Sequence, residues 1–296
     1  MEQNTQVKRL RSECLSCLLN KYMERCPEGL DDESRLTYMQ IVFRELADAE
    51  WEVGGPVLIH RIYRKLFERF GFEEDYSSIK THFNTLMMKQ EPLVEAELSK
   101  AQEPLRLAIQ YSLIGNYIDF GALDSVEEEK LAQMLLDADN IAVDAEEYEA
   151  LKEDLRKAKR LVYLTDNCGE IVMDKLLIRQ IQKLYPECEV TVIVRGSEVL
   201  NDATREDAEQ IGLTDMVRVI GNGNGIAGTW LPEVSKEARE EIEAADVILA
   251  KGQANFETLR RCGKNIYYLF LCKCAVFAKS FGVPKFTGML INDRKC

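Results

Sequence analysis

Histidine is scarce in this sequence: His60 and His82 are the only two in 296 residues. Neither has a second histidine at ligand spacing, which argues against a zinc hydrolase centre built on imidazoles. No apolar run reaches transmembrane length, and the opening stretch MEQNTQVKRLRSE lacks the apolar segment of a signal peptide. A cytoplasmic location is the resulting expectation. Positive charge is short as well, the formal net charge being −13. Such a balance opposes non-specific binding to nucleic acid or to an anionic membrane, both of which reward basic patches. It leaves room for a local basic pocket around a small phosphorylated substrate. A second C-x-x-C is also missing. Nine cysteines occur, at positions 14, 17, 26, 168, 188, 262, 272, 274 and 296. An odd number without a secretory signal predicts reduced thiols rather than a disulfide framework.

What is present describes an ordinary globular chain, 46% hydrophobic and 30% charged, long enough for a large core or for two domains. The first half reads as helix. In PVLIHRIYRKLFERF, Pro56 sits at a first helical position, and Val57, Leu58, Ile62, Leu66 and Phe70 mark one face. SRLTYMQIVFRELADAE repeats Leu36, Met39, Phe43, Leu46 and Ala47 at helical spacing. The segments SVEEEKLAQMLLDA and DAEEYEALKEDLRKAK continue the pattern to about residue 158. Beyond it the chain alternates. Strand-like runs at 161–165, 190–194, 217–221, 247–251 and 266–271 are separated by helical segments at 170–184, 203–211, 233–244 and 255–261. The expectation is an all-helical N-terminal region over residues 1–158. A three-layer, Rossmann-like α/β domain with a mostly parallel sheet follows over residues 159–296.

In an open parallel sheet, ligands bind at the carboxyl ends of the strands. Every polar cluster of interest falls there. The first strand, LVYLT, runs into Asp166, Asn167 and Glu170; the second precedes Asn201 and Asp202; the fourth ends in Lys251, with Asn255 and Glu257 after it; the fifth leads to Cys272, Lys273 and Cys274. Two carboxylates and an amide, Asp166, Asn167 and Asp202, form a hard oxygen set suited to Mg²⁺ or Mn²⁺. Lys251 and Lys273 supply charge for a phosphoryl group, and Gly169 opens a helix whose N–H groups suit an anion. Any one of these clusters alone is ordinary helix-capping or turn chemistry. Their convergence at four strand ends points to a site.

Other motifs carry less. GNGIAG, residues 223–228, fits a dinucleotide fingerprint, but it follows the third strand, and Thr229 to Pro232 separate it from the next helix. It reads as a flexible loop over the crevice. Cys14 and Cys17 form a lone pair that Cys272 and Cys274 would complete into a four-thiolate site only if the N-terminus folded back; buried inert thiols are the alternative. Cys168 has no histidine base beside it and is not read as a nucleophile. A haloacid-dehalogenase phosphatase requires a second aspartate two positions after the first, where this chain has Cys168.

Taken in order, LTDNCGEIVMDK, VLNDAT, GTWLPEVSKE, ADVILAKGQANFETL and LFLCKC resemble the damage-control phosphatase family, once a domain of unknown function and related to the acidic-residue methyltransferase-like fold. GNYIDFG at 115–121 and the Cys14/Cys17 pair extend the likeness, the latter towards the stand-alone microbial branch. The resemblance implies a helical region packed on a Rossmann-like domain. It implies a divalent metal (Mn²⁺, Ni²⁺, Co²⁺ or Mg²⁺) held by Asp166, Asn167 and Asp202, with Lys273 on the substrate phosphate. Asn255 would line the pocket, and Asn116 and Asp119 would reach it from the helical side. The substrate would be a small phosphorylated metabolite, such as a sugar phosphate or a damaged side product. Ala254 departs from the glycine common at that position, and cysteines flank Lys273 densely. Glu170 is read as orienting a water or the Asn167 amide. The nucleophile is either water or Asp166. Two other classes stay open: an S-adenosylmethionine-dependent carboxyl methyltransferase, poorly served by the one glycine of TDNCGE and by Arg195-Gly196 after the second strand, and a non-enzymatic metal- or thiol-dependent sensor. Oligomeric state is not legible.

Overall fold

A computed structural model describes residues 10–72, 75–119 and 126–295. Phe120 and Gly121 of GNYIDFG, together with Cys296, lie outside the described residues. The chain forms two compact units, Met1–Asp75 and Tyr76–Cys296. Among the described residues, no helix is long and apolar enough to cross a membrane.

The first unit contains helices α1 (Ser12–Glu24), α2 (Asp32–Ala47) and α3 (Gly55–Phe70). Asp31 caps α2 by accepting from the Ser34 amide at 2.8 Å. Pro56 opens α3 as predicted, and Val57, Leu58, Ile62 and Leu66 are buried. The face expected for α2 is corrected in part. Leu46 is buried and Met39 packs on the same core as expected, joined by Tyr38 and Val42 against Leu58, Ile62 and Leu66, whereas Leu36 and Phe43 are 60% and 52% exposed. Two apolar stripes share this helix, and the one facing α3 is buried.

The second unit opens with α4 (Ser77–Lys100), α5 (Pro104–Gly115), α6 (Glu128–Leu136) and α7 (Ala145–Lys157). The alternating part follows as β1 (Arg160–Leu164), α8 (Glu170–Leu184), β2 (Glu189–Val194), α9 (Arg205–Gln210), β3 (Arg218–Gly221), α10 (Lys236–Ala244), β4 (Val247–Lys251), α11 (Gly252–Leu259), β5 (Ile266–Leu271), α12 (Ala275–Phe281) and β6 (Gly288–Asn292). The change from helix to alternation near residue 158 therefore marks the first strand, while the two units part earlier, at Asp75.

The strand order is β3-β2-β1-β4-β5-β6, parallel from β3 to β5, with β6 antiparallel on the edge. Side chains alternate between the two faces. Leu161, Tyr163, Val190, Val192 and Leu249 join a core with α4, α5 and α8. Val162, Leu164, Ile193, Ile248 and Phe270 join another with α10, α11 and α12. Both faces are thus covered, as continuous apolar strands require. The order reverses at β1: the chain winds outward through β2 and β3, then crosses back to place β4 on the other side. The crevice of such a sheet lies between the carboxyl ends of β1 and β4.

Candidate active site

β1 delivers Asp166 and Asn167 to that crevice, and Gly169 turns the chain into α8. Gly169 has a φ of +69°, and a Cβ there would press on Ile118 and Phe83. Its amide donates to Asn84 Oδ1 on α4 at 2.6 Å, fixing the turn. The loop after β2 is tied to the same place: Asn167 and Asp202 form an antiparallel bridge, the Cys168 amide donates to the Asn201 carbonyl at 2.8 Å, and the Ala203 amide to the Asp166 carbonyl at 2.7 Å. Asp166, Asn167, Glu170 and Asp202 are all buried together.

Asn116, at the end of α5, is the hub of the cluster. Its Nδ2 stands 3.0 Å from Asp166 Oδ2 and 3.0 and 3.1 Å from the two Glu170 oxygens, while its Oδ1 accepts from the Leu271 amide at 2.9 Å. Glu170 in turn orients Asn167: Oε2 accepts from the Asn167 side chain at 3.0 Å and from its backbone amide at 3.2 Å. Asn167 Nδ2 also reaches Asp166 Oδ2 at 2.8 Å. Lys273, beyond β5, pairs with Asp119 at 2.6 Å. Seven of the predicted residues therefore lie in two groups of contacts, Asn116, Asp166, Asn167, Glu170 and Asp202 in one and Asp119 with Lys273 in the other.

Two others are placed differently from the expectation that they bind substrate. Lys251 is wholly buried, and its ammonium is met by Glu170 at 2.7 Å, Asp174 at 3.2 Å and the Ser112 carbonyl at 2.8 Å. Three acceptors match its three N–H groups, so its role here is to neutralise Glu170 and Asp174. Asn255 is a strut. Its Nδ2 donates to the carbonyls of Thr165 and Lys251 at 3.0 and 2.7 Å, and its Oδ1 accepts from Thr229 at 2.8 Å. The reason is local: α11 begins at Gly252 directly after β4, not at residue 255, so Asn255 turns back under the strand ends. The GNGIAG segment is held as well, with Asn222 Oδ1 accepting from the Gly196 and Asn224 amides at 2.8 and 3.0 Å.

The residue that sequence reasoning passed over is Arg195, directly after β2. It is 1% exposed, and its Nε donates to Asp202 Oδ2 at 2.6 Å. The signal was available, since a charged residue closing the apolar run VTVIV obeys the same strand-end rule as Asp166. Ser112 and Asp174, which complete the Lys251 environment, came from inside helices and gave no such signal.

The electrostatics suit a cation. Burial, then the neighbouring charges of Glu170, Asp202 and Asp119, hold Asp166 well above the ordinary carboxylate range. Burial pushes Asp202 up to about 6 against the opposing effect of Arg195. Asp119, Asp166, Glu170, Asp174 and Asp202 face Arg195, Lys251 and Lys273, so five carboxylates against three cations leave a formal −2. A divalent ion cancels that excess, and Asp166, Asn167 and Asp202 offer the hard oxygens it prefers. Among the described residues no group of three or more His, Cys, Asp or Glu side chains is placed to hold a metal. Cys14 and Cys17 fall in the first unit and Cys272 and Cys274 in the second; the cysteines among the described residues are free thiols. Burial raises the Cys168 thiol far above its usual value, which opposes thiolate chemistry beside the site.

A family model for the damage-control phosphatase ARMT1-like domain matches residues 10–288. A damage-control phosphatase of Archaeoglobus fulgidus is 33% identical over 279 residues, covering 91% of this chain and 94% of that protein. A damage-control phosphatase of Pyrococcus horikoshii is 32% identical over 293 residues, covering 97% and 98%. The crystal structure of a DUF89 family protein from P. horikoshii superposes with a TM-score of 0.78 at 30% identity, covering 96% of this chain and 99% of that one. The chain belongs to the damage-control phosphatase ARMT1-like family.

Proposed function

We propose that this protein is a metal-dependent phosphomonoesterase acting on a small phosphorylated metabolite, a sugar phosphate or a damaged side product. The observation that carries the reading is the buried carboxylate cluster with a formal −2, joined by strand-end loops at the switch point of the sheet. Family membership supports the phosphatase class. Asp166, Asn167 and Asp202 would hold the ion (Mn²⁺, Ni²⁺, Co²⁺ or Mg²⁺), which when bound supplies Lewis-acid relief of charge on a phosphoryl oxygen.

The chain's own residues do the rest. Asn116 and Glu170 lock the Asn167 amide and the Asp166 carboxylate into one geometry, so little reorganisation is left for the reaction. Lys251 pairs with Glu170 at 2.7 Å and holds it where it accepts from Asn116 and Asn167. Lys273, steered by Asp119, brings a positive charge from the β5 side towards the phosphate. The nucleophile is water or Asp166, and both choices place the attacking oxygen beside the β1 end.

The test is hydrolysis of an aryl phosphate and a panel of sugar phosphates by stripped protein resupplied with each metal. Asp166→Ala is expected to remove turnover, a loss on the order of several kcal/mol of transition-state stabilisation. Full metal-dependent activity in that variant would end the proposal.

A further inference from the structure

Arg195 has more hydrogen-bond donors than the protein around it uses. Its main chain is fixed, the amide donating to the Ala203 carbonyl at 2.9 Å and the residue bridging Thr204. Its side chain is fully buried. Of the guanidinium nitrogens, Nε is bonded to Asp202, while Nη1 and Nη2 have no hydrogen-bond acceptor among the described residues. Nη2 stands 3.6 Å from Asp166 Oδ1, within ion-pair range but beyond a hydrogen bond. An arginine kept only to neutralise Asp202 would gain a second bond by meeting both carboxylate oxygens in the usual fork. This one is held by Nε alone. Lys251 and Lys80, also buried, differ: Lys251 meets Glu170, Asp174 and Ser112, and Lys80 meets Glu198, Asp207 and Thr204. A buried polar group without a partner is destabilising and calls for a ligand, an ion or a water to complete it.

We infer that the two Nη groups of Arg195 bind the oxygens of the substrate's phosphoryl group, making Arg195 a catalytic residue on the β2 side of the site. This rests on the phosphatase reading. Strand order supports the division of labour. Arg195 follows β2 and Lys273 follows β5, with the Asp166 and Lys251 strand ends between them, so a phosphoryl group at the switch point has a cation on either side. The planar fork suits two phosphate oxygens at once, which a lysine at this position does not.

The experiment measures binding of inorganic phosphate and of Mn²⁺ by calorimetry, and aryl phosphate turnover, on the full-length protein and on R195M, R195K and R195A. In R195M, phosphate affinity is expected to fall on the order of tenfold or more and kcat/KM about 10²–10³-fold, as for loss of one transition-state donor. Mn²⁺ affinity should move less than about threefold, because Asp166, Asn167 and Asp202 remain. R195K, which keeps the charge and loses the fork, should fall between, and guanidinium ion should restore part of the R195A turnover. If R195M does not fold, R195K and the rescue carry the test. Phosphate affinity unchanged in R195K and R195M would overturn the inference. So would a loss of Mn²⁺ affinity in proportion to phosphate affinity, which would make Arg195 a positioning residue acting through Asp202. Arginine-dependent phosphate binding by a wild-type protein that hydrolyses no ester under any metal would sink the phosphatase reading and leave the anion site standing.

Discussion

Gly252 shows how tightly single residues are constrained here. It joins β4 to α11 with a φ of +77°, and a Cβ at this position would collide with the Asp166 carboxylate. Asp166 has nowhere to retreat, because Asn116 and Asn167 both hold Oδ2. G252A is therefore expected to lower kcat/KM about 10²-fold, the usual result of misplacing a reacting group by an ångström. Its stability cost should be smaller, about 1–3 kcal/mol for the strained backbone. Wild-type kinetics in G252A would show that Asp166 is free to move. Asp174 tells a second residue-scale story. Burial raises its carboxyl to about 6 from an ordinary 3.8, against the pull of Lys251. The folded state therefore holds a proton that the unfolded chain releases earlier. The resulting stability is complete below the ordinary value and is lost as pH rises through about 6. D174N should flatten the stability curve between pH 4 and 6 in denaturant titrations, relative to wild type. A parallel curve would remove Asp174 from the balance.

At the scale of elements, the helix ends allow a control that leaves the site alone. Asp144 caps α7 by accepting from the Glu147 amide at 2.9 Å. D144A should cost about 1 kcal/mol in denaturant midpoint with no change in kcat. A change in kcat would tie α7 to the site. The elements also show what was legible in the sequence. β4 and β5 have the boundaries predicted at 247–251 and 266–271, because continuous apolar runs with polar ends leave little choice. α8 likewise begins at Glu170 as expected. β6 was missed: it is short, starts with Gly288, and alternates only partly in burial as an antiparallel edge. The buried stripe of α2 was partly misread because period alone cannot say which of two stripes meets a neighbour. Within the site, residues at strand ends and in the first turn of the helix that follows were legible, Glu170 and Asn255 among them, whereas partners deeper in helices were not. Lys251 was found, but Ser112 and Asp174, which consume its donors, emerge only from packing. Arg195 sat in plain view after β2, weighed only against a methyltransferase, and its burial was the missing fact.

Across the whole molecule, a net charge of −13 coexists with a carboxylate cluster buried at the switch point. A negative balance of this size opposes the binding of polyanions, and in the proposed reading the cluster would take a small dication. An ion that binds only the folded state raises stability by mass action, about 2.7 kcal/mol at a hundred times its Kd. Mn²⁺ should therefore raise the melting temperature of stripped protein, and D202A should lose that rise. An equal rise in D202A would place the ion elsewhere. The most direct measurement is a single titration of Mn²⁺ into stripped wild-type protein, following bound metal and aryl phosphate hydrolysis in the same sample. Turnover should grow in step with metal and saturate at about one ion per chain, as the two carboxylates and one amide of a single site require. Full hydrolysis before any metal is added, or metal bound to saturation with no hydrolysis, would contradict a metal-dependent phosphatase built on Asp166, Asn167 and Asp202.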